Sequence, residues 1–203
     1  MTEETNAPQL YLTTPLGASA ETLGPLLADV LDRFPVACLR IPGNGTEEDL
    51  GRIADLVREI AHARDVAVVI EDHVQLALRH GLDGVHLTKG ARKLRDARKD
   101  LGADAIIGAF CGNSRHEGIN AAEAGADYVS FGPVGKTALG QGETAEIDLF
   151  SWWSEMIEVP VVAEGALTPE LIEAFSPVSD FIALGPEIWS AEDPVAALAA
   201  LWR

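Results

Sequence analysis

The sequence predicts one α/β domain over residues 1–203, a single (β/α)8 TIM barrel. Three observations predict it. Apolar runs of strand length alternate with helical segments along the whole chain, the pattern of parallel βα units. The runs are continuously apolar, as strands buried on both faces require. Each run ends in a polar or glycine-rich loop, most plainly between Val66 and Val134 in VAVVIEDHVQLALRHGLDGVHLTKG and ADAIIGAFCGNSRHEGINAAEAGADYVSFGPVGKT. A doubly wound open sheet is the alternative, because periodicity does not show closure. The chain is shorter than a typical barrel of ~250 residues, so its loops should be tight.

The first strand is expected over Leu10–Thr14 and its helix near Ala20–Phe34. The second strand is Val36–Ile41. Its helix opens at Thr46, where TEED places a capping hydroxyl three residues before an acid. Leu50, Ile53, Val57, Ile60 and Ala61 then recur at helical spacing and form one buried stripe. Strand three is Val66–Ile70 with a short helix over Val74–His80. Strand four is Gly84–Thr88 with a basic helix from Ala91 to Leu101. Strand five is Ala105–Cys111. Its helix is capped by Ser114 with Glu117 and stops at Gly125. Strand six is Tyr128–Val134, followed by a glycine-rich loop and a helix around Leu149–Ile157. Strand seven is Val161–Glu164, and Thr168-Pro169 supplies a cap and a first-turn proline for the next helix. Strand eight is Phe181–Leu184, and a last helix covers Pro194–Trp202. No linker or charge run marks a second domain.

The 203 residues are 47% apolar, enough for a substantial core. Asp and Glu total 32 against 15 Lys and Arg, a formal net charge of −17. Such a surface repels nucleic-acid phosphates and anionic membranes, so neither is an expected partner; solubility or a salt-adapted host accounts for the acidity. Cys38 and Cys111 each fall in or at the end of an apolar run, without the spacing of a disulfide framework or a metal site. Buried free thiols in a reducing cytosol are expected. The acidic, polar start MTEETNAPQ is not a secretory signal, so a cytoplasmic location is expected. No apolar run approaches the roughly 20 residues that span a bilayer.

In a parallel βα fold, reactive residues lie just past the C-terminal strand ends. That rule selects Arg40, Glu71 and Asp72, Thr88 and Lys89, Cys111 to Asn113, Gly135 to Thr137, Glu164 to Ala166, and Gly185. Cys38, Asp72 and Thr137 are expected near one rim. GPVGKT is not a P-loop, because the required glycine four intervening residues before Gly135 is Ser130. Gly135, Lys136 and Thr137 still offer an N–H, an ammonium and a hydroxyl to a phosphate, against the plainer reading of a surface loop. Glu71 and Asp72 are adjacent and project differently. One of them facing the mouth would suit magnesium or base chemistry, and either could instead cap the next helix. His86, in mid-strand, reads as a satisfied core histidine. Trp152, Trp153, Trp189 and Trp202 read as packing or a subunit contact, which makes a homodimer one expected state.

The words LDGVHL, GADYVSFGPV and VPVVAEGALTPE, within a match running from LYLTTP to ALGPEIW, resemble the thiamine phosphate synthase and thiazole tautomerase family. The resemblance implies a transferase that joins hydroxymethylpyrimidine diphosphate to thiazole phosphate with magnesium. It implies phosphate or substrate binding by Arg40, Lys136, Thr137, Gly165, Ala166 and Gly185, and a magnesium ligand in Asp72. It assigns no catalytic acid or base to this chain. Several family positions differ here. The second strand keeps Arg40 but has Cys38, Ile41 and Pro42 where the family has Gln, Glu and Lys. Ala91 stands for the second magnesium carboxylate, which leaves Glu71 or Glu164 as conceivable replacements. Phe110 or Cys111 and Gly112 or Asn113 replace a Ser and a His. Leu139 and Gly140 replace the Thr-Lys that follows the first diphosphate Thr. Ala166 replaces a glycine, and Pro186 removes an N–H donor. Charge-assisted contacts of this kind contribute about 1.5–3 kcal/mol each, so the site is remodelled on a conventional scaffold. The alternatives are a non-catalytic or regulatory paralogue that binds a small phosphorylated ligand, and a thiazole tautomerase-like isomerase.

Overall fold

In the computed structural model, which describes residues 7–136 and 142–202, eight parallel strands close into a barrel in sequential order. The strands are β1 (Gln9–Thr13), β2 (Val36–Ile41), β3 (Ala67–Glu71), β4 (Gly84–Leu87), β5 (Ile106–Phe110), β6 (Tyr128–Phe131), β7 (Val161–Glu164) and β8 (Phe181–Leu184). Helices α1 (Ala20–Arg33), α2 (Glu47–His62), α3 (Val74–His80), α4 (Leu94–Leu101), α5 (Arg115–Glu123), α6 (Ile147–Met156) and α7 (Pro169–Phe175) follow the first seven strands. After β8 come a short α8 (Pro186–Trp189) and the final α9 (Pro194–Leu201). Pairing of β1 with β8, Leu12 opposite Leu184, closes the ring and excludes the open sheet. Among the described residues no helix is long and apolar enough to cross a membrane.

Local chemistry explains most boundaries. Thr46, Ser114 and Thr168 each accept a backbone N–H in the first turn of their helices, from Asp49, Glu117 and Leu171. At Thr46 the hydroxyl also donates to the Asp49 carboxylate at 2.6 Å. Several expected elements lose a residue or two at their ends, and two are shorter by a full three residues. Strand β6 stops at Phe131 rather than Val134, since Pro133 has no N–H for the ladder. Helix α4 starts at Leu94 rather than Ala91, because Lys93 adopts φ 66°, outside helical space. The four-residue α8 and a 3-10 turn over Ser176–Val178 were not expected from periodicity.

Three aspartates share one task at the N-terminal end of the barrel. Asp83, Asp127 and Asp180 immediately precede β4, β6 and β8. Their carboxylates accept the N–H groups of Val68, Ile107 and Val161 on the strand before. Their own N–H groups donate to the carbonyls of those same residues. Each pair of strands is thus clamped where the sheet begins.

The barrel divides the interior into two layers. Outside it, Leu12, Leu39, Ile41, Ile70, Val85, Phe131 and Leu184 pack against the helices in one large apolar cluster. Trp153, fully buried there, meets Phe131 edge-on, and Gly118 makes room for it: a Cβ at that position would stand 2.6 Å from the indole. Trp152 lies under the guanidinium of Arg115, and Trp189 donates to the Thr13 carbonyl at 2.6 Å, so both have packing roles. Inside the barrel, Tyr11, Cys38, Val69, Tyr128, Val162 and Ala183 form a second, smaller cluster. Gly108 admits the Tyr128 ring to it, since a Cβ there would fall 2.0 Å from the ring. Cys38 belongs to this lumen, two residues before Arg40 and opposite Tyr11, and not to the rim where it was expected. Burial pushes its thiol up to about 12, and both cysteines are free and buried.

Candidate functional site

From the C-terminal ends of β2 and β7 a buried polar chain runs down into the lumen cluster. Arg40 on β2 sends one terminal nitrogen to the Glu164 carboxylate on β7. Its other terminal nitrogen lies 3.0 Å from Nε2 of His86 on β4. Ser130 on β6 donates to the second oxygen of Glu164 at 2.7 Å. His86 Nδ1 is 2.9 Å from the Tyr128 hydroxyl, which is 2.8 Å from that of Tyr11. A guanidinium can only donate, so Nε2 of His86 must accept and Nδ1 must carry the proton. The chain therefore runs in one direction: Arg40 to His86, His86 to Tyr128, Tyr128 to Tyr11.

The electrostatics agree with that direction. Burial, with the Arg40 charge added, lowers the His86 imidazole to about 3, so it is neutral in the fold. Burial alone would raise the Glu164 carboxyl, but the Arg40 charge and the hydrogen bonds from Arg40 and Ser130 more than offset it and hold it below the usual range. Burial opposes the charge on Arg40 and Glu164 overrides it, so the guanidinium is held more firmly charged than normal. Nε of Arg40 faces Glu71 at 3.3 Å without hydrogen-bond geometry. Glu71 instead accepts the Gly43 N–H at 3.1 Å, while His73 meets the Gly43 carbonyl, so this side of the rim is pinned.

The other expected residues occupy separate parts of the mouth. Asp72 is exposed at φ 56° and accepts from both the N–H and the hydroxyl of Thr88. Lys136 is exposed, and Thr137 lies outside the described residues, as do Leu139 and Gly140. Asn113 donates to Glu143 in the neighbouring loop after β6 at 3.3 Å, and Cys111 is buried. Gly165 and Ala166 both have positive φ, 92° and 54°. For Ala166 that backbone costs about 1–3 kcal/mol, strain of the kind that collects at functional sites. The loop after β6 lies along the loop after β7 through Val134 N–H to the Glu164 carbonyl and Gly135 N–H to the Gly165 carbonyl, each 3.0 Å.

Glu187 is the residue that sequence reasoning missed. From the first turn of α8 its carboxylate takes the Gly185 N–H at 2.8 Å and the Leu167 N–H at 3.2 Å. Backbone donors from the loops after β7 and β8 therefore converge on one anion, where barrels of this class often hold phosphate. The signal was present in Gly185-Pro186-Glu187, a helix start with an acid in its first turn.

These side chains do not form a protein-held magnesium site. Magnesium requires near-octahedral oxygen donors, yet both Asp72 oxygens serve Thr88, Glu71 turns to Gly43 and Arg40, and Ala91 has no donor. Glu164 is committed to Arg40 and Ser130. Among the described residues no three His, Cys, Asp or Glu side chains are grouped to hold a metal.

A family model described as thiamine monophosphate synthase matches residues 10–185. The chain is 39% identical over 198 residues to a thiamine-phosphate synthase of Rhodospirillum centenum, covering 94% of each chain. It is 38% identical over 208 residues to a thiamine-phosphate synthase of Erythrobacter litoralis, covering 97% of this chain and 95% of that one. Thiamine phosphate pyrophosphorylase from Pyrococcus furiosus superposes with a TM-score of 0.80 at 24% identity, covering 97% of this chain and 95% of that one; this likeness concerns the fold.

Proposed function

The chain belongs to the thiamine monophosphate synthase family, and on that premise we propose that it is a transferase of thiamine biosynthesis, joining hydroxymethylpyrimidine diphosphate to thiazole phosphate and releasing diphosphate. The observation that carries this reading at the site is the convergence of the Gly185 and Leu167 N–H groups on a single anionic group. Fixed backbone donors at a strand-end rim suit an anionic ligand, which here would take the place of the Glu187 carboxylate. In this reading Gly165, Ala166 and Gly185 shape the phosphate seat, and Lys136 meets the diphosphate from the neighbouring loop after β6.

Arg40 takes a different part from the one its residue type suggests. Its terminal nitrogens serve Glu164 and His86, so it holds the floor of the mouth rather than a phosphate. Asp72, fixed by Thr88, orders the rim between β3 and β4. The same commitment of Arg40 favours a second reading, a non-catalytic barrel that binds a phosphorylated ligand.

The deciding experiment incubates the protein with both substrates and magnesium salt and follows thiamine phosphate by chromatography. Product formed in proportion to enzyme supports the transferase. Saturable binding of thiazole phosphate without product gives the second reading.

A further inference from the structure

Positive charge is distributed unevenly along this acidic chain. Six of its 15 Lys and Arg residues fall between Lys89 and Lys99, with one acid, Asp96, among them. Elsewhere Arg33, Arg52, Arg58, Arg64 and Arg79 each pair with a carboxylate. Within the segment Arg98 does so, with Asp127 at 2.6 Å. Lys89, Arg92, Lys93, Arg95 and Lys99 are exposed, and among the described residues their side chains make no hydrogen bond or ion pair. Local stability does not explain them. Arg92 and Lys93 stand at the N-terminal end of α4, where the helix dipole disfavours cations, and the Lys93 side chain caps nothing. The segment begins at the mouth. Thr88 N–H donates to Asp72 on the rim at 3.0 Å, and Gly90 N–H donates to the Phe110 carbonyl at the end of β5 at 2.9 Å. From there the cations descend the outer wall, with Lys99 one turn beyond Arg95.

We propose that these five cations form an entry patch, which draws anionic substrates to the rim and speeds their association without holding them once bound. The proposal rests on the transferase reading only for the identity of the anions, a diphosphate and a phosphate monoester. A formal charge of −17 repels both, and Asp72, Glu143 and Glu187 add negative charge around the mouth itself. A local patch of opposite sign beside a cleft raises encounter rates by about 10- to 1,000-fold at low salt. At physiological ionic strength screening acts over about 8 Å, so the cations nearest the rim contribute most. The patch stands beside the mouth and outside the substrate seat, so its effect belongs to arrival and not to departure.

The test measures association and dissociation of inorganic diphosphate with the full chain by phosphorus NMR line shape. It is run at about 10 mM and about 1 M ionic strength, where screening lengths are about 30 Å and 3 Å. The patch variant is Arg92→Gln with Lys93→Gln. A charge-matched control, Arg33→Gln with Arg52→Gln, lies on α1 and α2, two or more helices round the barrel. At low ionic strength we expect the patch variant to associate at least about threefold more slowly than wild type, with dissociation unchanged. At high ionic strength the difference should vanish, and the control should match wild type throughout. Thermal melting of the patch variant should stay at or above that of wild type, because two cations leave a helix N-terminus. A marked fall in melting temperature assigns the cations to the fold and overturns the proposal. An unchanged association rate, the result expected of a surface that docks an acidic protein, overturns it as well. So do an equal fall in the control, a loss that salt does not remove, and a wild type that binds no diphosphate at either ionic strength. The synthase assay on the same proteins separates the two claims. Product with unchanged diphosphate association removes the patch and leaves the transferase. A slowed, salt-sensitive association with no product from any form does the reverse.

Discussion

The layer outside the barrel and the lumen inside it are held together in different ways. Outside, Leu12, Leu39, Ile70 and Leu184 are fully buried against helices and need only apolar neighbours of the right volume. Inside, Arg40, His86, Ser130, Glu164, Tyr128 and Tyr11 each need a particular partner on another strand. Apolar burial is non-directional, so many sequences satisfy the outer layer. Hydrogen-bonded charge in a low-dielectric interior stabilises only when every member is paired. One layer therefore tolerates changes of shape, and the other changes only in matched sets.

The largest expected effect separates these two logics. Glu164→Ala strands the buried Arg40 charge, since Glu71 approaches Nε without a hydrogen bond. Breaking a buried pair from one side costs about 3–5 kcal/mol, read from urea denaturation. Replacing both partners with apolar residues, Arg40→Met with Glu164→Leu, should recover part of that loss, the rest staying with the His86 Nε2 and the Ser130 hydroxyl, which lose their partners. Leu39→Ala should cost about 2–5 kcal/mol through its cavity, and no second change in the lumen should rescue it. If the double replacement is as unstable as Glu164→Ala, the two layers do not differ in the way described.

Acid should distinguish them next. His86 is held near 3 in the fold against an ordinary 6.5, so the unfolded chain binds more protons between those values. Stability is then full above pH 6.5 and falls with acidification toward about 3, at up to about 1.4 kcal/mol per pH unit. Glu164, held below the ordinary carboxylate range, adds a second loss in the same direction once the pH drops through its own folded value. His86→Gln should flatten the upper part of this slope in urea midpoints taken across the range. Leu39→Ala should lower every midpoint and leave the slope alone.

The same contrast explains what could be read from the sequence. The outer layer declared itself through local spacing: the stripe from Leu50 to Ala61, the caps at Thr46, Ser114 and Thr168, and the continuous runs of β2, β7 and β8. Each of these signals lies within a few residues of itself. The lumen pairs do not. Arg40 and Glu164 stand 124 positions apart, and His86 stands 46 from Arg40. Glu164 was visible as an extra negative charge at a strand end, but the partner that neutralises it becomes a neighbour only on closure of the barrel. Arg40 was accordingly assigned to a phosphate by its type and position. Glu187 escaped because its second contact, Leu167, belongs to another loop. The three aspartates before β4, β6 and β8 have their partners on the preceding strands, so local spacing gave them no role.

The smallest expected effect lies at the end of the polar chain, and it tests the direction assigned to it. The Tyr128 hydroxyl accepts a hydrogen bond from His86 Nδ1–H and donates one to Tyr11, so it has two partners while that of Tyr11 ends the series. Tyr128→Phe leaves a buried N–H and a buried hydroxyl unsatisfied, an orphaning that costs about 1–3 kcal/mol. Tyr11→Phe removes the terminal acceptor only, and Tyr128 keeps its bond from His86, so the cost should be nearer 0.5–1.5 kcal/mol, about one ordinary hydrogen bond. Both rings stay in place, because their edge-to-face packing at 5.8 Å does not involve the hydroxyls. The two single losses should also fall short of adding in the double variant, since both include the Tyr11–Tyr128 bond. Equal costs for the two variants, or full additivity, would mean that the chain does not end at Tyr11. The His86 tautomer would stand, because Arg40 can only donate to Nε2, and the Tyr11 hydroxyl would have to pass its proton to a further acceptor.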